Sequence, residues 1–340
     1  MNNALIAIDK SGSFRVYLGL CPGLVSEARR IHDAGPLATA ALGRALAGGG
    51  LMGLQLKGPK DKLTLQFKGD GPAGELLVTA RGDGRVKGYI SDPLVELPPK
   101  ENGQPDVGGA LGTGVLTVIK DMGLKEPYVG RIDFVTGEIA DDLTAYFFIS
   151  EQQNASVALG VSVDTDGTVK AAGGFVLQML PEAAEGAAEA LEKLLAELPP
   201  LSGLMEEALA KAAAEAGGPA TDPAAGPGEE ERAADLFLEA VFGSLPEEFA
   251  LETLERRDLE WCCDCSVERL EQVLLTLGQE QLEEILREDG QAELTCQFCR
   301  KKYHFDKEHL EMLLRVSARA KEILDNRKKR QAAETAERIH

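Results

Sequence analysis

The stretch Trp261-Cys262-Cys263-Asp264-Cys265-Ser266, read together with Cys296-Gln297-Phe298-Cys299, sets the reading of the whole chain. Five of the 6 cysteines lie in these two clusters, and everything before them holds only Cys21. Two close cysteine pairs separated by a helix-length spacer form the pattern of a four-thiolate zinc site. Zinc takes soft ligands tetrahedrally, and residues one or two apart turn both sulfurs toward one ion while a remote pair closes the cage. Such a cage has no open coordination position. It therefore points to structure or redox chemistry rather than hydrolysis.

Spacing leaves the first pair open. Cys262 with Cys265 makes the Cys-x-x-Cys pair that generic zinc ribbons favour, whereas Cys263 with Cys265 makes Cys-x-Cys. His304 follows Cys299 at a spacing seen in zinc knuckles, but with four thiols at hand it reads as a hairpin residue.

Moving outward from the cysteines, Ser266 is placed to cap a helix carrying Leu270, Val273, Leu274 and Leu277, with Gly278 beyond its end. A second short helix carries Leu282, Ile285 and Leu286 and stops at Asp289-Gly290. Leu294 to Phe305 reads as a hairpin with Cys296 and Cys299 at its turn, beside a basic edge (Arg300, Lys301, Lys302) that would favour thiolates. Asp306 starts a final helix running to Ile323-Leu324, followed by a solvated basic tail, Arg327 to Arg330.

Upstream of the cysteines, residues 181–260 hold 20 acidic against 5 basic residues, a net of −15 out of −20 for the chain. Leu191, Leu194, Leu195 and Leu198 form one helical stripe, and Leu201, Leu204, Met205 and Ala208 a second. Ala213 to Glu231 has the Ala/Gly/Pro/Glu composition of a flexible insertion. So acidic a segment with narrow apolar faces is expected to lean on its neighbours for stability.

The first 180 residues are strand-rich. Strands are expected at 3–20 around Ser11-Gly12, at 61–91 with turns at Gly69-Asp70-Gly71 and Gly82-Asp83-Gly84, at 114–119, 155–163 and 168–178. Between them lie two early helices, the second opening at Pro36 and stopping at Gly48-Gly49-Gly50, and one helix over 138–153. Gly108 to Gly114 lacks the Gly-Lys-Ser/Thr ending of a phosphate loop and reads as strand-entry glycines that open no helix. Asp141 and Asp142 are helix-start acids, since adjacent helix residues diverge by about 100 degrees and do not share a substrate. His32 reads as a helix-surface or packing residue rather than a catalyst. The fold class is α+β: an N-terminal mixed-sheet domain with inserted helices (1–180), a helical acidic linker (181–255), a small zinc-binding module (256–310) and a helical extension (311–340).

A hydrophobic content of 44% with 27% charged residues is that of a soluble globular protein, and 340 residues suffice for two domains and a linker. The net charge of −20 argues against a nucleic-acid partner. No run has membrane-span length, and the start, with Asp9 and Lys10 after a short apolar stretch, has no signal-peptide layout. Clustered free thiols then place the chain in a reducing cytoplasm.

Cys263-Asp264-Cys265-Ser266 with Glu268-Arg269, and later Cys296-Gln297-Phe298-Cys299, resemble the C-terminal signature of the 33 kDa chaperonin family. Glu138 to Thr144, Ser150-Glu151-Gln152 and Ala171-Ala172-Gly173-Gly174-Phe175 resemble that family's N-terminal domain. The resemblance implies one zinc ion per chain held by Cys263, Cys265, Cys296 and Cys299, with Cys262 an extra thiol. It implies an ATP-independent holdase, not an enzyme, that binds unfolding client proteins once oxidation joins Cys263 to Cys265 and Cys296 to Cys299, and that forms a homodimer when oxidised. A constitutive zinc-ribbon adaptor and a thiol-disulfide oxidoreductase are the other classes that two such pairs admit.

Overall fold

A computed structural model describes residues 2–164, 166–216 and 227–319. It is of the α+β class and divides into two compact units, Met1–Cys262 and Cys263–His340. Residues 256–262, assigned by sequence to the zinc module, lie with the first unit.

The first unit is layered. One sheet has five strands in the order β10-β1-β2-β9-β8, with β1 Asn3–Asp9, β2 Phe14–Leu20, β8 Ala155–Val163, β9 Val169–Met179 and β10 Leu251–Asp258, all neighbours antiparallel. The other has six in the order β11-β5-β4-β3-β6-β7. Its strands are β3 Lys62–Gly69, β4 Glu75–Arg81, β5 Arg85–Ile90, β6 Gly114–Asp121, β7 Tyr128–Asp133 and β11 Glu260–Trp261, antiparallel except where β11 joins β5.

Helix α2 (Pro36–Gly53) fills the space between the sheets, beside α1 (Pro22–His32) and α4 (Ile139–Ile149). Every residue of α2 except Pro36 and Arg44 is buried. Its glycines were expected to stop it at Gly48-Gly49-Gly50, yet the helix runs on to Gly53. The reason is close approach. A Cβ on Gly48 would stand 2.8 Å from Leu143 Cδ1, and one on Gly49 would stand 2.7 Å from Val78 Cγ1. With no side chain there, strand and helix pack directly, and that burial outweighs the roughly 1 kcal/mol a helical glycine costs. Gly49→Ala is therefore expected to destabilise the unit by about 1–3 kcal/mol, although the same change on an exposed helix stabilises. Urea denaturation followed by the fluorescence of Trp261, the chain's single tryptophan, reads the sign.

The core around α2 takes Leu63, Leu65 and Phe67 from β3 and Ala172 and Val176 from β9, with Cys21 buried among them. Burial pushes the Cys21 thiol up to about 12, so it is inert. On the opposite face of the five-stranded sheet, Leu5, Phe14, Val16, Leu18, Phe175 and Leu177 form a second core with the acidic segment. That segment contributes α5 (Ala187–Ala196), α6 (Leu201–Ala216) and α7 (Pro227–Phe242), which supply Leu191, Met205, Ala208, Phe237 and Val241. The flexible insertion expected over Ala213 to Glu231 and the helical linker expected to run to 255 both differ in the fold. Residues 213–216 and 227–231 are helical, the rest of that stretch lying outside the described residues, and Leu251–Asp258 is a strand rather than helix.

Gly108 to Gly114 also differs from expectation, since Val107–Leu111 forms the short helix α3 before β6 begins. Asp106 caps it by accepting from Gly109 N–H at 2.9 Å. Asp142 is fully buried at the start of α4, and its Oδ1 accepts from the amides of Val135 (2.8 Å) and Thr136 (3.2 Å). It closes a loop. His32 is buried, with Nε2 3.0 Å from the Gly88 carbonyl and its ring edge-on to Trp261.

The chain leaves this unit through a strap of three anchors. Leu259 is 1% exposed and its methyls stand 3.2 Å from where a Gly50 Cβ would be. Trp261 packs on His32, and Cys262 N–H donates to the Val86 carbonyl at 2.9 Å. No helix among the described residues is long and apolar enough to cross a membrane.

Candidate metal centre

The second unit opens on the cysteines. Cys263 and Cys265 precede α8 (Val267–Thr276), whose first turn is capped by Ser266 accepting from Arg269 N–H at 3.4 Å. Arg269 in turn donates to the Asp264 carbonyl at 3.0 Å and pairs with its carboxylate at 2.7 Å, which holds the Cys-x-Cys turn against the helix. Helix α9 (Gln279–Glu288) follows, then the antiparallel pair β12 (Ala292–Thr295) and β13 (Lys302–Phe305), with Cys296 and Cys299 in the connection. That connection is a tight knuckle: Arg300 N–H donates to the Cys296 carbonyl (2.8 Å) and Cys296 N–H to the Lys301 carbonyl (2.9 Å). Arg300 takes a left-handed φ of 59° to close it. A last helix covers residues 307–319, and its expected continuation and basic tail lie outside the described residues.

The sulfurs of Cys263, Cys265, Cys296 and Cys299 all lie within 4.8 Å of one another. Cys263 Sγ is 3.7 Å from Cys296 Sγ, and Cys265 Sγ is 3.4 Å from Cys299 Sγ. Tetrahedral zinc with bonds of about 2.3 Å sets its sulfurs about 3.8 Å apart, so this donor set and spacing fit that ion. Cys262 is not among the four. Its amide is tied to Val86 in the first unit, and that tether begins the turn one residue later. His304 pairs across the hairpin with Glu293 and is exposed, outside the sulfur cluster.

Four thiols so close do not ionise alike. Burial raises the Cys263 thiol above its ordinary value, and burial likewise raises Cys299. For Cys265 burial also pushes upward, but hydrogen bonding from the Tyr303 hydroxyl and then from the neighbouring thiols outweighs it and brings the group down to about 7. The Tyr303 hydroxyl stands 3.1 Å from Cys265 Sγ. The basic edge expected to help is engaged elsewhere: Lys302 pairs with Glu293 at 2.8 Å, and Lys301 lies 5.0 Å over the Tyr303 ring. Tyr303 escaped the sequence reading because an aromatic residue in a hairpin reads as core.

The thiols are also part of the module's core. Cys296 is buried with Leu274, Leu282, Tyr303, Phe305, Leu310 and Leu313, and the other three cysteines pack against that group. So small a core couples metal binding to folding. Phe305 is fully buried, and Phe305→Ala is expected to cost about 3–5 kcal/mol. By linkage it should weaken zinc binding about 100-fold or more, measured by competition with a chromophoric chelator. Unchanged affinity would show that the metal and the fold are independent.

A family model described as Hsp33 protein matches residues 2–306. The chain is 42% identical over 313 residues to the 33 kDa chaperonin of Alkaliphilus oremlandii, covering 92% of this chain and 96% of that one. It is 40% identical over 343 residues to the 33 kDa chaperonin of Clostridium perfringens, covering 99% of each. Among solved structures it is similar to the 33 kDa chaperonin (heat shock protein 33 homologue) of Thermotoga maritima. There the TM-score is 0.77 at 34% identity, over 93% of this chain and 99% of that one.

Proposed function

The chain belongs to the Hsp33 family, and from that premise we propose that it is a redox-regulated, ATP-independent holdase of the cytoplasm, switched by Cys263, Cys265, Cys296 and Cys299. The observation that carries the reading is the fusion of all four thiols with the core of a module too small to stand unaided. Bound zinc would hold the four thiolates and supply apparent folding free energy on the order of 10–16 kcal/mol.

The residues do the rest. In the reduced protein the thiolates close the module. An oxidant such as peroxide takes two electrons from each pair: one thiolate is converted to a sulfenic acid, the second displaces its oxygen as water, and an S–S bond forms. Cys296 with Cys299 and Cys263 with Cys265 are the pairs we assign. In the closed cage the thiols of the two pairs also face one another, Cys263 Sγ 3.7 Å from Cys296 Sγ and Cys265 Sγ 3.4 Å from Cys299 Sγ. A disulfide of about 2.05 Å within either pair draws its two sulfurs together and removes them as a ligand pair.

Once the module loses its ligands, the strap at 259–262 loses its ordered continuation; loosening spreads from there through β10 to α5–α7, and the apolar face of β1, β2 and β9 becomes available to unfolding clients. Two oxidised chains then associate as a homodimer. The test is to treat the zinc-loaded protein with peroxide, follow release with a zinc dye, and map disulfides by mass spectrometry. One equivalent of zinc released, with bonds within each pair, is expected; retention of zinc under full thiol oxidation would overturn the assignment.

An oxidoreductase reading has less support. Cys296-Gln297-Phe298-Cys299 lies in the connection between β12 and β13 and not at the start of a helix, where a redox-active Cys-x-x-Cys gains its reactive thiolate. The protein is expected to give no turnover in an insulin-reduction assay.

A further inference from the structure

Tyr303 sits in β13 opposite Leu294 of β12, 7% exposed and packed with Leu274, Cys296 and Phe305 in the core of the second unit. Lys301 Nζ lies 5.0 Å over its ring, so strand pairing, packing and a cation fix the ring independently of the thiols. The ring carries its hydroxyl to Cys265, where the oxygen stands 3.1 Å from Sγ and 3.2 Å from the carbonyl oxygen of the same residue. A phenol has one proton to donate. Here two acceptors on one cysteine compete for it.

A cysteine that holds a metal is a thiolate and has no proton to give, so in that state the hydroxyl is the donor. Of the two acceptors the anionic sulfur is the stronger, because hydrogen bonds to charged groups are roughly twice as strong as neutral ones. The carbonyl keeps the hydroxyl paired whenever the sulfur is taken away, so the phenol is never stranded in this core. Four thiolates around a divalent ion leave net negative charge beside Leu274, Leu282 and Phe305, and a donor aimed at one sulfur offsets part of that cost.

We propose that Tyr303 is a positioning residue of the cage: its hydroxyl donates to the Cys265 thiolate, holds it on the metal and blunts its attack on an oxidant. The proposal rests on the redox reading of the four cysteines and adds the side chain that sets its threshold. Oxidation starts when a sulfur lone pair attacks the peroxide O–O bond, giving a sulfenic acid while the second oxygen leaves as hydroxide. A hydrogen bond to that sulfur draws on the same lone pairs, so Cys265 attacks more slowly than a bare thiolate would. With the metal in place all four sulfurs are thiolates, and the bond acts on reactivity rather than on protonation. Tighter ligation and slower oxidation thus depend on one oxygen atom.

Tyr303→Phe removes that oxygen and keeps the ring. In the metal-loaded full chain, hydrogen exchange across α8 and the β12–β13 pair should match the unsubstituted protein, which establishes that the fold is kept. Competition with a chromophoric chelator should show zinc bound about tenfold more weakly. A zinc dye should report release by peroxide about fivefold faster. With cobalt(II) in place of zinc, the sulfur-to-metal charge-transfer band should move to lower energy, a shift that a purely structural role for the ring would not produce. An unmoved band, or zinc released at the same rate from both proteins, overturns the proposal. Should Tyr303→Phe fail to fold, meta-fluorotyrosine in place of tyrosine decides, being a stronger donor of nearly the same shape. Release must then slow, and an equal or faster rate overturns the proposal. A shifted band with no zinc freed by peroxide from either protein would leave the hydrogen bond and its hold on the metal standing and remove the redox-switch reading instead.

Discussion

Replacing Cys296 and Cys299 together by serine is expected to unfold residues 263–319 without any oxidant, while the unit ending at Cys262 stays folded. Ordering a residue costs about 1–2 kcal/mol of backbone entropy, and among the described residues the core of the second unit buries Leu274, Leu282, Cys296, Tyr303, Phe305, Leu310 and Leu313 against that cost. At about 1.5–3 kcal/mol per large side chain, this core falls short without the metal. Hydroxyls in place of two thiolates remove half of the donor set and bury polar groups beside Leu274 and Phe305. Hydrogen exchange should then show protection lost throughout α8, α9 and the β12–β13 pair and kept in α2 and β3. A chelator strong enough to strip the unsubstituted protein should produce the same pattern, reversed on adding zinc. Protection surviving in α8 after both treatments would mean the module folds on its apolar core alone. On the proposed switch reading, the same double variant should show no response to peroxide.

The cysteine cage was the most legible part of the chain, because two tight thiol pairs in a cysteine-poor sequence have few other uses. Spacing could not choose between Cys262 and Cys263; in the structure the sulfurs of Cys263, Cys265, Cys296 and Cys299 gather within 4.8 Å while the Cys262 amide bonds to Val86, and a long-range backbone bond leaves no mark in the sequence. The alternating strands at Leu63-Leu65-Phe67 and the helix expected over 138–153, which spans Ile139–Ile149, were legible from local periodicity. Helix α2 was misread at its end because Gly48 and Gly49 resemble a stop locally and serve as contact surfaces globally. Strand β10 was missed for a different reason. Leu251–Asp258 is an edge strand with mostly exposed residues, so the alternation that announces a half-buried strand is absent. Strand β7 carries Gly130, Arg131 and Asp133, which are poor strand formers that an edge tolerates.

The second large effect is on aggregation of other proteins, and it follows from what α5–α7 cover. Leu5, Phe14, Leu18 and Phe175 are completely buried beneath that acidic segment and form a continuous apolar face if it lifts. Exposed apolar area of that kind binds other polypeptides. The stretch 181–260 that holds these helices carries −15 of the chain's −20 charge, a self-repulsion that favours their release once the ordered module beyond Cys262 is gone. Lifting them costs the burial of Leu191, Met205 and Phe237, and on the proposed holdase reading the open state is held by the client that replaces those contacts.

The most direct measurement is light scattering from a heat-unfolding client in the presence of reduced, zinc-loaded protein and of peroxide-treated protein at equal concentration. Suppression of scattering by the oxidised form alone, abolished again by reductant with zinc, is the predicted result. Equal suppression by both forms, or by neither, would contradict the switch.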